Sequence, residues 1–84
     1  MPLLTRYKDT AGHWAVEEDS RGFLWLTVWC RGSEGFDELH RKLTPGESRD
    51  FERSGSVVRA RARFLLRHPK TNYDPDDEAE YRKQ

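Results

Sequence analysis

The residues of this chain that could do nucleophilic or metal chemistry are few: one cysteine, Cys30, and three histidines, His13, His40 and His68. They show neither a Cys-x-x-Cys nor a His-x-x-x-His spacing, so they do not predict a metal site. A cysteine beside a histidine can form a nucleophilic dyad. Cys30, however, ends an apolar strand, where a thiol is usually an inert, buried hydrophobe. We therefore predict a protein that is not an enzyme and that uses no metal and no cofactor.

A run of basic residues is the second feature with chemical potential. Residues 53–70 contain arginines and a lysine but no acidic residue, and Arg59, Arg63 and Arg67 are spaced by four. On a helix, this spacing places the three guanidinium groups on one side, where they could contact nucleic-acid phosphates or an anionic protein partner. The alternative is a solvated helix face that the acidic segment following it in sequence neutralises.

An aromatic face is the third feature. In the stretch FLWLTVWC, Phe23 to Cys30, alternate side chains of a strand face opposite ways, so Phe23, Trp25 and Trp29 share one face. Such a face can be part of the core, a protein interface that includes self-association, or a platform for stacking bases. Because nothing obvious in the sequence covers it, we expect Phe23, Trp25 and Trp29 to contact a partner.

Strands must position the aromatic face. Residues 13–19, HWAVEED, have moderate strand character, and the turn residues DSRG connect them to the strong strand at 23–30, which predicts an antiparallel hairpin. Residues 36–43, FDELHRKL, fit either a helix or a third strand. We favour an edge strand, since charged side chains suit a solvent-facing edge.

Two helices follow these strands. Thr44, Pro45 and Glu47 form the pattern of a capping box with proline at the first helical position, and Gly55 supplies a stop. The arginine-rich segment 56–68 then favours a helix that Pro69 ends. On the side opposite the arginines, this helix carries the apolar residues Val58, Ala62 and Leu65. We expect a second set of apolar residues to widen that apolar face: Val57, Ala60 and Phe64.

Composition limits the class of protein. The 84 residues are 36% charged with a formal net charge of zero, which argues against wholesale nucleic-acid binding. The N-terminus shows no signal-peptide pattern and no apolar run is long enough to span a bilayer, so we expect a cytoplasmic protein without membrane contact. We predict one small domain over residues 1–73 and an acidic, flexible tail over 74–84 with almost nothing to bury.

The predicted fold is α+β, with an antiparallel hairpin or three-stranded sheet and two C-terminal helices packed on one face. We expect the aliphatic side of the central strand, Leu24, Leu26 and Val28, to meet the helices. The reverse assignment, with the tryptophans facing inward, stays open. In either arrangement one apolar face lacks an internal partner.

The order of these motifs resembles that of small α+β immunity proteins of bacterial toxin systems. The resemblance covers roughly residues 14–73: a hydrophobic strand ending in cysteine, the segment LTPGE, the segment DFERSG, and an amphipathic helix ending RHP. It implies a protein that binds a cognate toxin domain and blocks it without catalysis, and it assigns no functional residues. The sequence thus predicts a protein-binding module, an inhibitor or immunity-type factor or a homodimer; the alternative is a nucleic-acid-associated protein that uses residues 56–68.

Overall fold

The computed structural model describes residues 3–33 and 36–84, and within these ranges the chain forms four strands followed by three helices. The strands are β1 (Leu4–Lys8), β2 (Trp14–Glu18), β3 (Leu24–Ser33) and β4 (Phe36–Lys42). The helices are α1 (Pro45–Arg53), α2 (Ser56–Arg67) and α3 (Pro75–Arg82). The α+β class is confirmed, and residues 36–42 are a strand, as favoured. Strand β1 and helix α3 were not predicted from the sequence.

The strands form one antiparallel sheet in the order β1-β2-β3-β4, each joined to the next along the chain. The first two turns share a pattern in which an aspartate is followed three residues later by glycine. The N–H of Gly12 donates to the carbonyl of Asp9, and the N–H of Gly22 donates to the carbonyl of Asp19. Both glycines have a positive φ, 75° and 89°, a conformation that glycine adopts without steric cost.

One face of the sheet packs on α1 and α2 and holds the hydrophobic core. Leu26 and Val28 of β3 are fully buried in the same cluster as Val58 and Leu65 of α2. The expectation that the aliphatic side of β3 meets the helices is therefore confirmed. Burial of these side chains supplies the main stabilising term, at about 25 cal/mol for each Å² of apolar surface removed from water.

The capping box that begins α1 forms as the sequence predicts. The N–H of Glu47 donates to the Thr44 hydroxyl at 3.2 Å, and the N–H of Thr44 donates to the Glu47 carboxylate at 2.8 Å. Gly55, at φ 74°, separates α1 from α2. Because these caps satisfy backbone donors at the helix start, they fix where α1 begins.

The structure corrects the prediction that residues 74–84 form a flexible tail. Pro75–Arg82 is helix α3, begun by Asp74, whose carboxylate accepts hydrogen bonds from the N–H groups of Asp76 and Asp77. It packs against the sheet face opposite α1 and α2, and Glu78 is 3% exposed. Within the described ranges, no helix has both the length and the apolar character needed to cross a membrane.

Candidate functional site

Helix α3 covers part of the aromatic face of β3, which the sequence predicts to contact a partner. The ring of Tyr81 stacks on His40 with centroids 3.7 Å apart, and it meets Trp25 edge-on at 5.6 Å. The Tyr81 hydroxyl donates to Glu17 at 2.8 Å. Burial of the phenol, together with its hydrogen bond to Glu17, raises the pKa of Tyr81, so this hydroxyl stays protonated and can keep donating.

Trp25 is consequently an internal residue, and its expected partner contact is corrected. It is 0% exposed, and its indole Nε1–H donates to the Asp19 carboxylate at 3.0 Å. The same carboxylate accepts from the backbone N–H groups of Arg21 and Phe23 and from the Arg21 guanidinium. Burial by itself raises the pKa of Asp19, but these hydrogen bonds outweigh it and lower the pKa to about 2.

The other two aromatic residues of this face are only partly covered by the chain. Trp29 is half-buried, with its indole N–H donating to Glu38 at 3.2 Å and the Lys8 ammonium 5.6 Å from its ring. Phe23 is 45% exposed and lies under the Lys42 ammonium at 4.0 Å. The expected three-residue surface is therefore divided, and only Phe23 presents much of its ring to solvent.

A cluster of polar groups between β4 and α3 has the residue types of acid–base chemistry. His40 is buried between two carboxylates, with Nδ1 2.8 Å from Glu78 and Nε2 3.0 Å from Glu38. The hydroxyl of Thr27 also lies beside a carboxylate, donating to Glu17 at 2.7 Å. Of these contacts, the one between His40 and Glu78 joins α3 to the sheet, whereas the contacts to Glu38 and Glu17 lie within the sheet. Thr27 is 2% exposed, and the hydroxyl of Tyr81 stays protonated. Among the described side chains, no group of three His, Cys, Asp or Glu could hold a metal ion.

Carboxylates of α3 also cap the backbone of β4, which is an edge strand of the sheet. The N–H of His40 donates to Glu78 at 2.7 Å, and the N–H of Lys42 donates to Asp77 at 3.1 Å. These two N–H groups point away from β3 and would otherwise meet only water. The helix is thus bound to the edge by charge-assisted hydrogen bonds, which are stronger than those between neutral groups.

Acidic side chains of this segment also pair with cations of β4 and of the turn between β2 and β3. Asp77 contacts the Arg41 guanidinium at 2.9 Å, and Glu80 bridges Lys42 at 2.8 Å and Arg21 at 2.6 Å. Hydrogen bonds from Lys42 and Arg21 lower the pKa of Glu80. The acidic segment therefore folds back onto the chain, but on the side of the sheet away from α2.

The row of arginines on α2 is left without these carboxylates. Arg59, Arg63 and Arg67 are exposed, and none of them forms an ion pair with any residue that the structure describes. Arg61, on the same helix, differs because it pairs with Glu47 of α1. Like charges four residues apart on a helix repel one another, by roughly 0.2–0.5 kcal/mol for a pair. The alternative in which the acidic segment neutralises this row is thus not what the fold does.

An apolar stripe lies beside the arginine row on the outer side of α2. The sequence predicts that Val57, Ala60 and Phe64 widen the apolar face toward the core, but all three are exposed, with Val57 at 49% and Phe64 at 53%. The sheet accommodates only the narrower stripe of Val58, Ala62 and Leu65. The ring of Phe64 contacts His68, with centroids 4.9 Å apart, and the rest of the stripe faces solvent.

Cys30 lies where the sequence predicts, on the aliphatic face of β3. It is 6% exposed, and burial raises the pKa of its thiol. A thiol with a raised pKa has little thiolate at neutral pH, and the thiolate is the nucleophilic form.

Scans against protein-family models, curated proteins and solved structures each found nothing that matches this chain. The candidate site accordingly rests on geometry alone. It is the outer surface of α2, which consists of the arginine row Arg59, Arg63 and Arg67 together with the apolar stripe Val57, Ala60 and Phe64.

Proposed function

We propose that this protein is a small, non-enzymatic binding module that holds an acidic protein partner against the outer surface of α2. One observation carries the proposal: the acidic segment of the chain pairs with Arg21, Arg41 and Lys42, and the arginine row forms no ion pair with a described residue. A partner that brings carboxylates to this row relieves the repulsion between its arginines.

The composition of the surface favours a protein partner over a nucleic acid. Arginine and aromatic side chains are enriched at protein interfaces, and here the exposed ring of Phe64 lies beside the arginines. Phosphates offer nothing for such an apolar stripe to contact. A chain with no net charge also lacks the positive excess that nucleic-acid binding usually requires.

A module of this kind can act as an inhibitor or immunity-type factor, because covering an acidic surface of a partner blocks whatever that surface binds. The resemblance in motif order to immunity proteins agrees with this role. Catalysis by the module is not required, and both the backbone N–H and the ring of His40 are engaged with Glu78 of α3.

The test is a capture experiment with matched variants, followed by reconstitution. Tagged wild type, Arg67→Glu, Phe64→Ser and Arg82→Glu are used to retain proteins from a native extract. The protein retained in stoichiometric amount by the wild type is identified by mass spectrometry, purified and measured by calorimetry. Arg82→Glu makes the same charge change on α3, at the far side of the sheet.

We expect an acidic partner whose affinity falls at least about tenfold with Arg67→Glu and with Phe64→Ser, but stays within about twofold with Arg82→Glu. Three outcomes would overturn the proposal. They are equal loss in all variants, capture of nucleic acid whose binding falls steeply with salt, and recovery of nothing but further copies of the chain.

A further inference from the structure

A cleft lies between α2 and the turn that joins β1 to β2, at one side of the proposed binding surface. It has a volume of about 350 Å³, within the range of small-ligand pockets. Tyr7, Trp14 and Leu66 contribute apolar side chains to it, and Arg59, Arg63 and His13 contribute basic ones. Two of the three arginines of the row therefore line a defined cavity.

The apolar lining forms the deeper part of this cleft. Trp14 is 5% exposed, and its ring lies against Tyr7 with centroids 5.2 Å apart. Tyr7 and Leu66 are half-buried and pack against the core cluster. Because these side chains are held by the core, they offer a preformed apolar surface with little conformational entropy left to lose.

The basic side chains of the cleft are exposed and surround this apolar surface. Arg59 and Arg63 make no ion pair with a described residue, although Asp9 is also in the cleft wall. The Asp9 carboxylate instead accepts a long contact, 3.5 Å, from the backbone N–H of His13. Two guanidinium groups that lie four residues apart on one helix, and that form no ion pair with the part of the chain the structure describes, present donors that match a carboxylate or phosphate.

We propose that this cleft binds a carboxylate of the partner together with an apolar side chain that lies next to it. The carboxylate lies between Arg59 and Arg63, and the apolar side chain rests on the half-buried Tyr7 and Leu66. This inference rests on the proposed function and adds to it a subsite and a recognised chemistry: an acidic residue beside an apolar one.

Small probes test the cleft without the partner. Benzoate carries a carboxylate on an apolar ring, benzamide is its neutral isostere, and acetate has the charge without the ring. Each is titrated into the full chain and followed by NMR at the Trp14 indole N–H and at the Arg59 and Arg63 Nε–H. Inorganic phosphate, as the dianion, is the fourth probe.

We expect benzoate to shift these signals in a saturable way. Benzamide and acetate should each bind with an affinity at least about fivefold lower than that of benzoate. Arg63→Gln should weaken benzoate about tenfold, which is the loss expected for one charge-assisted hydrogen bond, and Arg82→Gln should leave it unchanged. Equal binding of benzamide, tighter binding of phosphate than of benzoate, or shifts spread along all exposed arginines would overturn the proposal.

The two proposals fail separately. Partner capture is scored with Arg67→Glu and Phe64→Ser, and neither of these residues lines the cleft. Partner binding that is intact while benzoate does not bind would overturn the cleft alone. If benzoate binds saturably but no captured partner loses affinity with Arg67→Glu, the proposed function is overturned. The cleft would then be a binding site for small anions only.

Discussion

The ring of Tyr81 lies flat on the imidazole of His40, with centroids 3.7 Å apart and planes inclined by only 14°. The same ring meets the edge of Trp25 at 5.6 Å. Tyr81 thus connects α3 to the two strands β3 and β4 in a single contact. It is the main aromatic contact by which a strongly acidic helix packs on an aromatic sheet face.

Replacing Tyr81 should show how much this contact stabilises the fold. We expect Tyr81→Ala to lower the free energy of unfolding by about 2–3 kcal/mol, since a half-buried aromatic ring and its hydrogen bond are lost. Tyr81→Phe removes only the hydroxyl and should cost about 1 kcal/mol. Urea unfolding measures both, with Arg82→Ala as the neighbouring control. An unchanged exchange rate of the Trp25 indole N–H in Tyr81→Ala would contradict the assigned contact.

The Asp19 carboxylate should make stability depend on pH in the acid range. Its pKa in the folded chain is about 2, lowered from 3.8, so its charge stabilises the folded state above about pH 4. That contribution is lost as the pH falls from about 4 to 2. We expect Asp19→Asn to cost about 2 kcal/mol at neutral pH and progressively less at acid pH.

Asp9→Asn is the matched control for this prediction, because Asp9 begins the other turn with the same spacing to glycine. Urea unfolding between about pH 2 and pH 7 gives the comparison. If Asp19→Asn and Asp9→Asn lower the free energy of unfolding by the same amount at every pH, the charge of the buried Asp19 carboxylate does not stabilise the fold as predicted.

The arginines of α2 should divide into two groups by their effect on stability. Arg63→Gln removes a repelled charge, so we expect the melting temperature to stay the same or rise slightly, with any rise smaller at high salt. Arg61→Gln removes the pair with Glu47 and should lower it. Glutamine has nearly the helix propensity of arginine, so propensity does not confuse the comparison. Changes of the same sign in both variants would contradict the assignment.

Cys30 should react slowly while the chain is folded. Because the thiol is buried and its pKa is raised by burial, we expect a disulfide reagent to modify it at least about a hundredfold more slowly than in the urea-unfolded chain. The unfolded chain is the internal control for intrinsic thiol reactivity. Rapid labelling under native conditions would place the thiol at the surface.

Hydrophobic alternation and helix-capping residues in the sequence predict much of the fold. The period of two over residues 23–30 placed Leu24, Leu26 and Val28 correctly, and the Thr44 capping box placed α1. Both signals are local, because the residues that produce them are also the residues that form the element. The width of the buried face of α2 depends on the sheet that packs against it, which the helix sequence does not show. The prediction that Phe64 faces the core was therefore wrong, and Phe64 is exposed.

Helix α3 escaped prediction because little hydrophobic periodicity marks it. The helix is held to the sheet by the carboxylates of Glu78 and Asp77, which accept hydrogen bonds from backbone N–H groups of β4. A segment this rich in acidic residues has the composition of a disordered chain. A signal was nevertheless present. Asp74 is followed by Pro75 and by acidic residues in the first turn, which is the same kind of helix-start pattern as the one that predicts α1. What the sequence does not supply is the surface on which an acidic helix docks.

The capping of β4 by Glu78 and Asp77 has a consequence for assembly. Two carboxylates take the positions where the carbonyl groups of an incoming fifth strand would accept hydrogen bonds. At the opposite border, β1 breaks register between Thr5 and Tyr7, and Arg6 is tied to Glu18 and Glu52. Charged side chains at one border and an irregularity at the other are devices that resist polymerisation. A second chain can add to β4 only after α3 has been expelled, so this short acidic helix protects the sheet against aggregation.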